Sequence, residues 1–304
     1  RQILCMRHFR TGEEIMDKLW QQNLPISGIK DIVPVAGGDV NDAYRIDTEN
    51  DETFFLLVQP NTSYDFYAAE AEGLKDFEYA EVTAPRVIAN GEIDGDAYLV
   101  LSWLEEGPRG SQAELGKLVA KLHDFHNPDK RFGYDHPYEG RDISFNNEWT
   151  DSWKEIFVNR RLDHLREVVV EKGLWNVDQL NKFDNVRQVI VNALDNHKSK
   201  ASLLHGDLWG GNYMFLENGE PALFDPAPMY GDREFDLGAT TTFGGFSEEF
   251  YEAYDKAYPL DEGAYQRIEF YKFYLLLVHL VKFGPMYEGS VDASMDKILS
   301  DANF

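Results

Sequence analysis

His205-Gly206-Asp207-Leu208-Trp209-Gly210-Gly211-Asn212, followed by Asp225 after a short apolar stretch, is the segment that organises the reading of this 304-residue chain. An Asp and an Asn five positions apart can share one loop, the carboxylate accepting the proton of a substrate hydroxyl and the amide holding a metal ion. Asp225 then offers a second metal ligand. Phosphoryl transfer asks little covalent work of a protein: an in-line hydroxyl, a base that orients it and divalent metal that neutralises phosphate charge. With Asp207 as the base and Asn212 and Asp225 as Mg2+ ligands, the spacing predicts a small-molecule kinase. Paired carboxylates also act as acid and base in glycoside hydrolases, a role that leaves the Asn unexplained. Leu203-Leu204 and the run from Pro221 to Phe224, with the hairpin signal Asn218-Gly219 between them, predict an antiparallel unit with the two carboxylates at its ends, facing one cleft.

Composition fits a machine of this size. With 43% apolar residues the chain can bury a sizeable core and is expected to form two lobes with a cleft between them. The net charge of −25 repels nucleic acid and anionic membrane and leaves no basic stripe for a phosphate backbone. The same acidity repels ATP at long range, so a nucleotide site requires local compensation by Mg2+ and backbone N–H groups. The single cysteine, Cys5, excludes an intramolecular disulfide framework or a cysteine-based zinc cluster and suggests a reducing cytoplasm. No secretory signal pattern opens the chain, and Leu275–Val281 is too short an apolar run to span a bilayer. It reads as a buried helix, and a monomer is the default expectation.

Residues 1–104 read as a nucleotide-binding lobe with a leading helix. Thr11-x-x-Glu14 resembles a capping box. Ala43–Thr48 and Thr53–Val58 read as strands across a turn, and Ala97–Leu101 as another. The turn at Gly37-Gly38, just before the first of these strands, is a candidate for backbone approach to phosphate. Ala68–Leu74 has helical propensity and carries Glu70, which in a kinase would pair with a lysine on the preceding strand; a solvated acidic helix is the competing role. Ser102, Trp103 and Leu104 mark the hinge against which adenine would pack. Residues 105–304 read as a mostly helical catalytic and substrate lobe. Ser111-x-x-Glu114 caps a helix bearing His123, whose role is structural on this reading. Phe132–Trp149 reads as a long loop, with helices around Trp153–Phe157, Val177–Ile190, Ser247–Ala257 and Tyr265–Phe283.

The segment 205–212, together with Phe224-Asp225-Pro226-Ala227, Tyr230-Gly231-Asp232-Arg233-Glu234-Phe235-Asp236-Leu237 and Phe243-Gly244-Gly245-Phe246, resembles the fructosamine kinase, or ketosamine-3-kinase, family. Similar segments extend over roughly residues 11–290. The resemblance implies an α+β, bilobal, protein-kinase-like fold, with a small antiparallel β-rich N-terminal lobe and a larger mainly helical C-terminal lobe. It implies ATP as donor, Mg2+, and phosphorylation of O3 of a glycated amine. Asp207 matches the base, Asn212 and Asp225 the metal ligands, Glu70 the helix glutamate, and Gly37-Gly38 the nucleotide loop. Trp209 is a candidate for stacking on the sugar or for supporting the loop. Asp232 is a weaker candidate for a cationic substrate, with structural pairing as its competing role.

One departure stands out. In Phe54-Phe55-Leu56-Leu57-Val58-Gln59 the family pattern has a lysine where this chain has Leu57. Loss of a cation oriented toward the phosphates removes stabilisation worth roughly 3 to 4 kcal/mol at comparable sites. Two outcomes are therefore expected to compete: an active sugar-amine kinase, and a non-catalytic or very weak nucleotide- or ligand-binding descendant. Free sugars, amino alcohols and aminoglycoside-like amines are further acceptors to weigh.

Overall fold

Alternation of side chains about a pleated backbone shapes the first unit. The computed structural model describes residues 18–35 and 42–303, so the Thr11 capping box and the glycine pair Gly37-Gly38 lie outside the described residues. Helix α1 (Lys18–Asn23) precedes β1 (Ile29–Pro34), β2 (Asp42–Thr48) and β3 (Thr53–Gln59). Helix α2 (Ala68–Tyr79), β4 (Val87–Ile93) and β5 (Asp96–Ser102) follow. These strands form an antiparallel sheet in the order β1-β2-β3-β5-β4. On one face Tyr44, Ile46, Leu56, Val58, Tyr98 and Val100 close over Trp20 and Leu24 of the α1 region. The other face carries Ala43 and Arg45 of β2, Phe55 and Leu57 of β3, and Leu99 and Leu101 of β5, because the side-chain period of a strand is two.

The edge strands β1 and β4 were not expected from sequence. Lys30 and Asp31 interrupt the apolar pattern of β1, and Asn90-Gly91 sits inside β4; charge and glycine of this kind are tolerated, and useful, where one side of a strand has no neighbour.

Residue contacts divide the chain into two units. The described residues up to Lys75 and Pro85–Glu105 form one, and Asp76–Ala84 with Glu106 onward the other. A single cut at 104/105 therefore misassigns residues 76–84. Hydrogen bonds explain this: Asp76 accepts from the Tyr134 hydroxyl at 2.6 Å, the Glu81 carbonyl from Lys121 at 2.8 Å, and the Thr83 carbonyl from the Leu223 N–H at 3.0 Å.

The second unit comprises α3 (Gln112–His123), β6 (Tyr138–Glu139), β7 (Ser144–Phe145), a π-helix at Glu155–Leu162 that runs on into α4 (Asp163–Glu171), and α5 (Val177–Asp195). After these come β8 (Ser202–Leu204), β9 (Tyr213–Phe215), β10 (Pro221–Leu223), β11 (Met229–Gly231), α6 (Glu234–Thr240), α7 (Glu248–Ala257), α8 (Ala264–Phe283) and α9 (Glu288–Asp301). Ser111 caps α3 as expected, accepting from the Glu114 N–H at 3.2 Å, while the Glu114 carboxylate turns to Lys117 instead of completing the box. Helix α8 is apolar on nearly every side, the pattern of a helix buried all round. Its Tyr271 meets Phe157 of the π-helix with ring centroids 4.6 Å apart and accepts a hydrogen bond from Trp153. Full burial of a ring such as Phe157 is worth roughly 2 kcal/mol or more. Among the described residues no helix is long and apolar enough to cross a membrane.

The hairpin expected around Asn218-Gly219 is real, and the Pro221 run forms one of its strands as expected, but its partner is not Leu203-Leu204. The turn joins β9 to β10, whereas Leu203-Leu204 belongs to β8 and pairs with β11. Gly219 has a φ of 84°, which suits the turn, and apolar runs of three residues carry too little pattern to reveal their partners.

Candidate active site

Two small ladders carry the chemistry. β8 leads into His205, and the His205 carbonyl accepts from the Ala227 N–H at 2.8 Å, just before β11. The β9–β10 hairpin opens at Asn212 and closes at Phe224, whose N–H donates to the Asn212 carbonyl at 3.1 Å. Asn212 and Asp225 are therefore brought side by side at the open end of one hairpin.

The loop between the ladders is fixed from below by Asp236 of α6. This fully buried carboxylate accepts the N–H of His205 at 2.7 Å, that of Gly206 at 2.9 Å, and a hydrogen bond from Nε2 of His123 at 2.8 Å. Nδ1 of His123 meets the Tyr254 hydroxyl of α7 at 2.8 Å. Burial alone would raise the Asp236 pKa, but the His123 contact and the backbone donors outweigh it and hold the group below its usual range. His123 is structural, as expected; its tie to the catalytic loop through Asp236 was missed, because 113 residues separate the pair.

Gly206 has a φ of 83°, and a Cβ there would lie 1.7 Å from the Ala227 carbonyl oxygen, so only glycine fits this step. His205 then folds over the loop. Its Nε2 contacts the Phe224 carbonyl at 2.8 Å and its Nδ1 the Asp207 N–H at 3.2 Å, a pattern that requires the proton on Nε2. Asn212 donates its amide to the Asp207 carbonyl at 2.8 Å and to the Asp207 carboxylate at 3.1 Å. Both partners only accept, so the Asn212 carbonyl oxygen faces away, free to serve as a donor to a cation.

Asp207 and Asp225 are both exposed residues, each with protein packed against one side of its carboxyl. This partial desolvation, with the nearby Asp225 charge adding to it, raises the Asp207 pKa, and the same kind of packing raises that of Asp225. Asp225 has a φ of 54°, a conformation that costs a non-glycine residue about 1 kcal/mol or more and that recurs where function fixes the backbone. Two partly desolvated carboxylates and an amide oxygen form an all-oxygen set of the kind that suits a hard divalent cation.

Asp207 opens onto a cavity of about 450 Å3 within the second unit. Tyr138 and Phe145 come from the paired strands β6 and β7, Tyr271, Tyr274 and Lys282 from α8, and Arg161 from the π-helix. The 132–149 loop and the C-terminal helices thus shape the pocket. Trp209 lines it and is 44% exposed. Asp232 is not among its lining residues. Its carboxylate is buried and taken up by His197 at 2.9 Å, Ser199 at 2.7 Å and the Glu234 N–H at 2.9 Å, which corrects the substrate role considered for it. Arg161 and Lys282 had no motif to announce them.

In the first unit, Leu57 lies half-buried between Ala43 and Leu99 on neighbouring strands. Lys75 is exposed. Arg45 shares the Leu57 face, two positions nearer the Ser102 end of the sheet; it pairs with Asp47 at 2.9 Å and lies over the Trp103 ring at 5.2 Å. Glu70 occupies the first turn of α2. The Ser102 N–H and Oγ are both engaged with Arg86, so Ser102 secures the strand end, with Trp103 and Leu104 continuing the chain beyond it.

A model of the fructosamine kinase family matches residues 12–301. The chain belongs to the fructosamine kinase family. It is a kinase. A probable ketoamine kinase of Staphylococcus aureus is 60% identical over 286 residues, covering 94% of this chain and 99% of that one. Among solved structures, a putative fructosamine-3-kinase from Haemophilus somnus superposes with a TM-score of 0.76 at 26% identity, over 92% of this chain and 95% of that one. Aminoglycoside phosphotransferase APH(4)-Ia, in a ternary complex with AMP-PNP and hygromycin B, superposes with a TM-score of 0.64 at 15% identity, over 90% and 96% of the two chains, a likeness of fold. The architecture is the α+β, protein-kinase-like one.

Proposed function

We propose that this kinase transfers the γ-phosphoryl group of ATP to a hydroxyl of a glycated amine, O3 of a fructosamine or related ketosamine. The observation that carries the proposal is the Asp207 carboxylate at the edge of the aromatic cavity, joined to Asn212 and adjacent in charge to Asp225. The names of the Staphylococcus aureus and Haemophilus somnus relatives support the acceptor class, and the AMP-PNP complex of a shared fold supports the donor.

In this mechanism Asp207 accepts the proton of the acceptor hydroxyl as its oxygen bonds to the γ-phosphorus and the bond to ADP breaks. Asn212 and Asp225 would hold Mg2+, which when bound would supply charge neutralisation at the phosphates. The amide of Asn212 orients the Asp207 carboxylate, and Asp236 fixes the backbone beneath both. Trp209 offers a face for the sugar ring or the amine. In the first unit, Trp103 and Leu104 are assigned to adenine, Glu70 to the phosphate-side helix, and Gly37-Gly38 to the phosphate loop.

Leu57 favours a second reading, a protein that binds nucleotide and transfers little. Arg45 is displaced toward the hinge end of the same face, so its charge does not substitute directly for the absent strand lysine.

Incubation with ATP, Mg2+ and fructosyl-lysine, followed by phosphorus NMR, separates the two readings. A 3-phosphate formed by the wild type and lost in Asp207→Asn supports the kinase reading. ATP binding by calorimetry with no product would support the second. A phosphate at another oxygen would refute the O3 assignment.

A further inference from the structure

The cavity beside Asp207 carries positive charge that the reaction above does not use. Arg161 is 4% exposed and is one of the residues that line the cavity. It donates to the Tyr274 hydroxyl at 2.9 Å, to Asn147 Oδ1 at 2.8 Å and, weakly, to Met229 Sδ at 3.4 Å, and it lies 4.8 Å and 5.4 Å from the ring centroids of Phe145 and Phe235. All of these partners are neutral. No carboxylate among the described residues pairs with Arg161, and its Nε–H is buried without an acceptor.

Buried guanidinium groups are ordinarily paired, because removing the charge from water costs several kcal/mol. This chain has 54 acidic residues to 29 basic ones, so a carboxylate partner was not scarce. Lys282 lines the same cavity, half-buried, and contacts the Tyr138 hydroxyl at 3.3 Å. Among the described lining residues Asp207 is the sole carboxylate. An acceptor rich in amines would call for the opposite arrangement, several acids around the pocket.

We propose that the acceptor carries an anionic group whose charge Arg161 and Lys282 compensate while its hydroxyl faces Asp207. The inference rests on the ketosamine-kinase reading and narrows it. Free glycated amino acids, whose carboxylate lies beside the glycated nitrogen, become better acceptors than a glycated lysine side chain within a protein. A phosphate on the sugar would satisfy the same two cations.

The test compares fructosyl-glycine, fructosyl-glycinamide and the 6-phosphate of fructosyl-glycinamide in calorimetric binding and in turnover, using the wild type, Arg161→Gln and Lys282→Met. Arg161→Gln removes a buried charge, and Lys282→Met alters a half-buried position, so loss of fold in the first leaves the second decisive. At least one anionic ligand should bind about tenfold or more tightly than the neutral amide, the contribution of one charge-assisted hydrogen bond. Either variant should shrink that preference to within about threefold. A carboxylate preference assigns the cations to the amino-acid end, and a phosphate preference assigns them to the sugar end. Equal affinities in the wild type, no binding of any of the three, or a preference untouched by both variants would overturn the proposal. Turnover of the amide without anion preference would defeat this inference alone, whereas anion-selective binding without turnover would defeat the kinase reading alone.

Discussion

Replacing Gly206 by alanine tests whether the backbone step before Asp207 sets the position of the base. The new Cβ would stand 1.7 Å from the Ala227 carbonyl oxygen, and reaching even a tight 3.0 Å requires a displacement of at least about 1.3 Å. The obstacle is backbone of the neighbouring segment, itself bonded through the Ala227 N–H to His205, so the strain falls on the loop bearing Asp207. Misplacement of a reacting group by about 1 Å can cost on the order of a hundredfold in rate. Left-handed backbone adds about 1 to 2 kcal/mol of instability. Gly219→Ala is the matched control: its φ is 84°, but its Cβ meets nothing closer than 3.8 Å, so it bears the conformational cost without the collision. The assay is ATP-dependent phosphorylation of fructosyl-lysine under saturating conditions, with denaturant midpoints for both proteins. Gly206→Ala should lose about a hundredfold in kcat, and Gly219→Ala should remain within about threefold of wild type. Similar kcat values for the two variants would refute the reasoning.

Asp236→Asn should destabilise the protein by about 2 to 4 kcal/mol, since an amide nitrogen would confront N–H donors of His205, Gly206 or His123 in a fully buried site; urea denaturation reports it. Leu57→Lys should raise kcat/KM for ATP about tenfold or more by restoring a cation at that strand position, and an unchanged value would show that another group already serves there. The pair His197–Asp232 gives a pH dependence. Burial opposes charge on His197, but the Asp232 hydrogen bond and charge prevail and raise its pKa above the ordinary 6.5. Its stabilisation is therefore full below 6.5 and lost as pH rises through the elevated value. Asp232, whose burial is likewise outweighed by His197, lies below its ordinary 3.8, so its share is present above 3.8 and lost as pH falls through the depressed value. The melting-temperature gap between wild type and His197→Gln should narrow from pH 6 to pH 9; a constant gap would contradict the assignment.

The parts legible in sequence were those whose physics is local. The Asp207-to-Asn212 spacing fits within one loop, the apolar stripe of α5 declares its period, the long apolar run of α8 its burial, and Ser111 announces a cap. Pairing of short strands was not legible, since Leu203-Leu204 fits β10 or β11 equally well as an isolated apolar run. Asp232 and Asp236 occupy one motif and look equivalent in sequence, yet their partners lie 35 and 113 residues away. Arg160-Arg161 reads as an ordinary basic pair on a helix; only the packing of Phe145, Phe235 and Tyr274 around the second arginine separates it from the first.

The π-helix at Glu155–Leu162 bears on how this pocket tolerates insertions and deletions. An i→i+5 turn accommodates a residue that a regular helix would not, and it offsets everything after it by one position. Excising one residue there would let the segment relax into α-helix, turning side chains inside it by about 100°, one step of the 3.6-residue period, while residues beyond it, Leu165 among them, keep their place. Arg161, within the segment, would swing off the wall it now occupies. Lineages that shed that residue would be expected to keep the phosphotransfer loop and change what they phosphorylate.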